Sequence, residues 1–289
     1  MNYIFHILVM IFIYGILTLS LNLLVGYGGL ISLCQAAFYG IGAYTATLLM
    51  VKFGLTFLPS LVISVFFTSL LSFLIAYPSL RLKGDYFILA SLGFQIIVFS
   101  ILYNWVSLTR GPYGIPGIPR PSIFAFKIES PFSFFIFSGI LFFLIFLLSR
   151  ALYKSPFGRV LRSIREDETG AGALGKNIPA IKIWAFLISA GIAAIPGALY
   201  SGYVSYIDPT SFTLDESIFI ISIVVIGGSG NLKGPLVGTL FMIILPEILR
   251  FLGMPNTIAP NIRQIILGLA MIFMMKYRTQ GIAGDYQYE

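Results

Sequence analysis

IFHILVMIFIYGILTLSLNLLV, residues 4–25, holds one histidine and no charged side chain over 22 residues. A bilayer core about 30 Å thick takes about 20 apolar residues as a helix, so this stretch is long enough to cross. It exceeds a signal-peptide h-region, no basic residue precedes it, and no small-residue cleavage site follows. We take it as a retained transmembrane helix. The next stretch, GYGGLISLCQAAFYGIG (residues 26–42), stays apolar but is interrupted by glycines that disfavour a plain helix, which predicts a broken or re-entrant segment.

Further apolar stretches follow at 55–77, 86–106, 132–148, 183–205, 219–226, 237–249 and 265–275, separated by short polar joints. The 289 residues are 58% hydrophobic and only 10% charged, too little charge to coat a water-soluble globule of this size. The expected fold is all-α: a polytopic helical membrane protein with roughly 8–10 transmembrane segments, broken or re-entrant helices among them, over one transmembrane domain spanning 1–289. Pro112, Pro116, Pro119 and Pro121 should stiffen the loop from 107 to 130 into extended and turn conformations.

The formal charge of +7 does not point to nucleic acid, because Lys and Arg sit in joints between spans and form no continuous basic surface. They indicate orientation instead. Placing the hydrophilic stretch 150–182 in the cytoplasm puts eleven Lys and Arg inside and six outside, with Lys233 unassigned. Cys34 is the one cysteine, so an intramolecular disulfide and a cysteine-rich metal site are both excluded. No metal-ligand spacing occurs, and the lone histidine, His6, offers a triad nothing but a residue at the extreme N-terminus. GAGALG at 170–175 matches the dinucleotide glycine pattern in letters but follows a charged helical stretch and no strand. GGSGNLKG at 227–234 lacks the full phosphate-loop pattern, so no nucleotide or other cofactor is expected on this chain.

Two glycine-rich interruptions stand in the two halves of the chain, VGYGG at 25–29 and IGGSG at 226–230. Unwound backbone at membrane depth is tolerated only where protein or a water-filled cavity satisfies it, so paired interruptions point to a transport path. Candidate path residues are Asn22, Gly28, Gly29, Gln35, Gln95, Gly227, Gly228 and Gly230. Tight turns and helix-packing glycines are the plainer alternative, since Gly230, Gly234 and Gly238 lie four apart. Glu247 and Arg250, three apart, can pair on one helix. In GRVLRSIREDE (158–168), Val160, Leu161 and Ile164 recur at helical spacing while Arg159, Arg162 and Arg165 take other faces. A short amphipathic helix is expected, lying on lipid headgroups or against a protein partner; Glu166, Asp167 and Glu168 favour the protein.

Several long motifs in one order now carry a resemblance. GYGGLISLCQAAFYGIGAY (26–44), LRLKGDYFILASLGF (80–94), GPYGIPGIP (111–119), SPFGRVLRSIREDETGAGALG (155–175), GGSGNLKGPLVG (227–238) and LPEILR (245–250) make the chain resemble the M-type permease of branched-chain amino-acid ABC importers. The resemblance implies a non-catalytic subunit of the cytoplasmic membrane. Its partners would be a second, similar permease, two cytoplasmic ATP-binding subunits and an extracytoplasmic solute-binding protein. The ATPase-coupling residues would be Gly158, Arg159, Leu161, Arg162, Arg165, Glu166, Asp167 and Glu168. The family often has His where this chain has Gln35, and a small residue where it has Cys34. Relatives of this architecture are similar to permeases for urea, short amides or other amino acids. A secondary transporter or channel is the rival class, and it would need carboxylates in mid-span, whereas the acids here fall mainly in joints.

Overall fold

The computed structural model describes residues 2–79, 84–123, 126–128, 130–251, 265–266, 268–269, 271–273, 276–277 and 280–284. The expected joint at Arg81 and Lys83 lies outside them, as do much of the last apolar span and the side chain of Arg250.

Helix α1 (Asn2–Asn22) runs into a π-helical turn at Leu23–Tyr27, and residues 29–34 are not helical. Then come α2 (Gln35–Phe53), α3 (Phe57–Ser79), α4 (Asp85–Asn104) and the short α5 (Val106–Thr109). Strand β1 (Ile115–Pro116) and the hairpin β2 (Ser122–Ile123) and β3 (Phe126–Lys127) lead to α6 (Pro131–Lys154). α7 (Pro156–Glu166), α8 (Glu168–Ala173) and α9 (Ile178–Val204) follow, then β4 (Tyr206–Ile207), α10 (Leu214–Gly227) and α11 (Lys233–Phe251). Among the described residues six helices are long and apolar enough to cross a membrane, in α1, α2, α3, α4, α6 and α9. The broken segments lie at the two glycine interruptions.

Local chemistry sets the helix ends. Ser130 accepts from the Ser133 amide at 3.0 Å with Pro131 in the first turn of α6, and Asn177 does the same for Ala180 at 3.2 Å at the start of α9. α2 stops at Gly54, in the left-handed region at φ 66°. The proline-rich loop is extended and turned, as expected: β1 pairs antiparallel with β4, Ile115 opposite Ile207, and the Ile118 amide donates to the Ser205 carbonyl at 3.3 Å. This clasp ties the loop to the end of α9.

α2 is the central helix, buried along most of its length and packed between α3, α9, α4 and α10. It approaches α9 through small residues. A Cβ built on Gly42 would meet the Ala194 backbone, and one on Gly197 would meet the Tyr39 carbonyl and the Ala43 amide. In lipid no hydrophobic drive pushes helices together, so close backbone approach supplies the packing. Gly42→Leu is therefore expected to cost about 1–3 kcal/mol by overpacking. A thermal melt of the detergent-solubilised protein checks it, and an unchanged midpoint would show that the two helices part there freely.

α3, α4 and α6 turn apolar side chains outward, among them Phe66, Leu74, Ile97, Ile140 and Phe143. This is a lipid-facing surface. The start of α1 lies with the end of α9, where His6 Nδ1 is 3.0 Å from Tyr203 Oη, and the end of α1 lies against α7. The N-terminus and α7 are therefore at opposite ends of the bundle.

Candidate functional site

The first interruption is a half-crossing. The π turn ends at Tyr27, whose ring stacks on Tyr153 at 3.9 Å between centroids, and Tyr153 donates to the Leu19 carbonyl at 3.0 Å. Gly29 takes φ 65°, and the chain then runs unwound back into the bundle until α2 begins. The depth of that beginning is set by Gln95, halfway along the span Asp85–Asn104, whose Oε1 accepts from the Ala37 amide at 2.7 Å. Ser217 of α10 accepts from the Ala36 amide at 2.9 Å, and Ser91 from the Leu33 amide at 2.9 Å. Side chains thus satisfy the backbone that the missing helix leaves open, which is the condition for unwound chain inside a membrane. Gln35 donates to Ser20 Oγ, and its Oε1, fully buried, has no hydrogen-bond partner among the described residues.

The second interruption is packed backbone to backbone. Gly234 and Gly238 at the start of α11 lie directly against Gly227, so that a side chain on Gly227 would collide with both. Gly228 takes φ 97° and sits against Gly281 and Gly284 of the C-terminal segment. That segment is held by bonds of 2.9 Å from the Ile282 amide to the Ile226 carbonyl and from the Ala283 amide to the Gly227 carbonyl. The three glycines at 230, 234 and 238 do not share one helix face. Gly230 stands in the break, because α11 begins only at Lys233.

The two interruptions meet. Asn22, fully buried at the end of α1, donates through Nδ2 to the Asn231 carbonyl at 2.8 Å and accepts through Oδ1 from the Gly230 amide at 3.2 Å. A Cβ on Gly26 would lie 2.6 Å from the Gly230 amide nitrogen. One asparagine therefore bridges the first broken helix to the second.

α7 docks on this junction. Ser155 caps it by accepting from the Gly158 amide at 3.3 Å, with Pro156 at the first position. Leu161 and Ile164 are buried toward the bundle, and a Cβ on Gly28 would touch Leu161. Arg165 donates through Nη1 to the Gly26 carbonyl, its stem packs on Gly29, and it pairs with Glu166 at 3.1 Å. Arg162 lies over the Tyr27 ring, 4.9 Å from its centroid. Arg159, Arg162, Glu166, Asp167 and Glu168 remain exposed. Asp167 caps α8, and the Gly170 amide and Thr169 hydroxyl that donate to it hold its carboxyl below the usual carboxylate value. Lys182 Nζ reaches Glu168 at 2.7 Å. A cavity of about 590 Å³ opens between α7, α8, the start of α4 and the residues Gly28–Ile31 at the end of the first helix.

Of the residues singled out in the sequence, Gly28 and Gly29 meet α7, Asn22 joins the first interruption to Gly230, and Gly227 and Gly228 pack on α11 and the C-terminal segment. Gln35 and Gln95 lie deeper in the bundle, at the start of α2. Within α7, Leu161, Gly158 and Arg165 face the bundle and the remaining charges face outward. Sequence reasoning passed over Ser217, Tyr27 and Tyr153, and it counted Glu216 with the acids that fall in joints. Glu216 instead accepts at 2.7 Å from Tyr14, which is near the midpoint of the span Tyr3–Tyr27. No spacing signal marks such residues, because their partners are far away in the chain. GAGALG falls largely within α8, with no strand before it. Glu247 accepts from the Tyr3 hydroxyl.

The family described as branched-chain amino acid transport system, permease component, matches residues 3–275. The chain is 35% identical over 93% of its length to the high-affinity branched-chain amino acid transport system permease protein LivM of Escherichia coli K12, of which 67% is covered. It is 29% identical to the probable LivM protein of Methanocaldococcus jannaschii, with 93% of this chain and 90% of that one aligned. The probable LivH permease of the same archaeon is 24% identical over 86% of this chain and 82% of its own. No solved structure matches the chain.

Proposed function

This chain belongs to the branched-chain amino acid transport permease family, and on that premise we propose how it works within an importer. It pairs in the cytoplasmic membrane with a second, LivH-like permease. Two ATP-binding subunits dock beneath the pair, one of them on the exposed face of α7, and a solute-binding protein delivers a branched-chain amino acid at the opposite end. ATP binding and release rock the permease pair between outward- and inward-facing states.

The observation that carries this reading is the division of α7. Its apolar residues Leu161 and Ile164 are already buried on the permease itself, so little apolar face is left to lie on lipid. What it offers outward is a charged surface, Arg159 and Arg162 with the acids at 166–168, suited to a protein groove. The inward side rests on the first break, at Gly26–Gly29, which Asn22 ties to the second, so a push on α7 arrives where the transmembrane backbone is least regular.

Co-purification of the tagged chain with the products of its neighbouring genes tests the reading. An ATPase should be recovered with the wild type and reduced about tenfold or more with Arg159→Glu and Arg162→Glu together. Uptake of leucine by the chain in liposomes without an ATPase would instead establish a secondary transporter.

A further inference from the structure

One side of the bundle departs from the apolar lateral surface of α3, α4 and α6. Between α1, α10, α11 and the segment carrying Met271 lies a cavity of about 650 Å³. Met10, Phe219, Met242 and Met271 contribute apolar wall, and Tyr14 and Glu216 stand among them. The Glu216 carboxylate accepts from the Tyr14 hydroxyl at 2.7 Å, and among the described residues no Lys or Arg pairs with it. Tyr14 is itself fixed edge-on against Phe219, with ring centroids 5.5 Å apart.

A carboxylate halfway down a membrane span cannot face hydrocarbon, so this cavity must open to water or to protein. The Met-rich wall adapts to aliphatic shapes without selecting one, and the volume falls within the range of small-molecule sites. Asp215 and Glu247, which accepts from Tyr3, also line the cavity, with His6, so acidic groups and an apolar wall together match a ligand with one cationic end and one aliphatic end.

We propose that this cavity is a station on the transport path, in which Glu216, oriented by Tyr14, receives the α-ammonium group of an aliphatic amino acid while the methionine and phenylalanine wall takes its side chain. The proposal rests on the importer reading given above. It places the path on the α1, α10 and α11 side of the chain, the side that must then face the second permease. Ser217, the next residue, caps the start of α2 at the same depth, so a shift of α10 on binding reaches the re-entrant helix directly.

The experiment uses the whole importer in proteoliposomes, with leucine as the probe. ATP-driven uptake by the wild type tests the parent reading by itself. Glu216→Gln is expected to lower uptake about tenfold or more, with the assembly still recovered and Glu216→Asp restoring part of the loss. Uptake by Glu216→Gln within about twofold of wild type overturns the proposal. Ser222→Cys, on the same cavity, gives a second readout that stands if Glu216→Gln fails to assemble or the wild type moves no leucine. Its thiol should react with a membrane-impermeant reagent added from the outer side, and leucine should slow that reaction. An inert thiol, or one indifferent to leucine, overturns the proposal. The native Cys34 is fully buried and leaves this signal clear.

Discussion

ATP-driven uptake by an Arg165→Ala variant is expected to fall about tenfold or more while the ATPases stay bound, because the substitution strands the buried Gly26 carbonyl at about 1–3 kcal/mol. Arg165 is the one α7 cation whose side chain points into the bundle, 8% exposed, donating to Gly26 and lying along Gly29. Removing it opens a gap between α7 and the first break, so movement of α7 no longer carries that break with it. The exposed residues Arg159 and Arg162 are untouched, which is why binding and transport should separate. Lysine at this position carries the charge but not the planar fork, and should rescue the uptake only in part. Full uptake in Arg165→Ala would show that motion passes by another contact. Loss of the ATPase would place Arg165 in the docking face instead.

The contrast with the charge reversal at Arg159 and Arg162 shows where sequence reading stops. Helical spacing in residues 158–168 predicts an amphipathic helix, and α7 occupies 156–166. The same spacing groups three arginines as the polar side. Arg165 nevertheless turns inward, because a backbone carbonyl released by the π turn waits there for a donor. A π turn is invisible in composition, and so is the partner it creates. Spans were legible for a simpler reason: lipid demands about 20 apolar residues per crossing and the chain supplies them. Their ends shifted where polar residues extend a helix, as at Arg150 and Lys154 of α6 or the Asn177 cap of α9, since caps and snorkelling charges belong to the helix without being apolar.

The glycine interruptions were legible as breaks but not as a meeting place. Regular spacing at 230, 234 and 238 suggests one helix face, and the structure divides those residues between a break and the start of α11. That Gly26 approaches Gly230 follows from the crossing of α1 with α10 and α11, a tertiary fact that no local pattern encodes. Glu216 is the same lesson in electrostatics. Its neighbours Asp215 and Asp208 give the stretch the look of a loop outside the membrane, yet the chain dips back before α10 begins. Phe212 is fully buried against Tyr39 and its carbonyl accepts from Gln95, which carries the following turn, with Glu216 in it, to the depth of Tyr14.

Asn22→Leu tests that meeting place and should be the most destabilising single change in this region. The leucine keeps the branched outline of the asparagine but is larger and bonds to nothing: the Gly230 amide and the Asn231 carbonyl are both left unpaired in a buried site. Each stranded group costs about 1–3 kcal/mol, and in a membrane interior no water replaces the partner. The expected result is a strongly reduced yield of folded protein and a melting midpoint lowered by several degrees, followed by the fluorescence of Trp105 and Trp184. Asn22→Asp keeps the acceptor for Gly230 but loses the donor to Asn231 and adds a buried charge, so it should be no better than leucine. Asn22→Gln keeps both functions on a longer arm, and a Cβ on Gly26 already collides with the amide of Asn22, so there is little room for that arm. If all three variants melt with the wild type, the two broken helices are held by packing at Gly227, Gly234 and Gly238 alone, and Asn22 is free to serve the transport path instead.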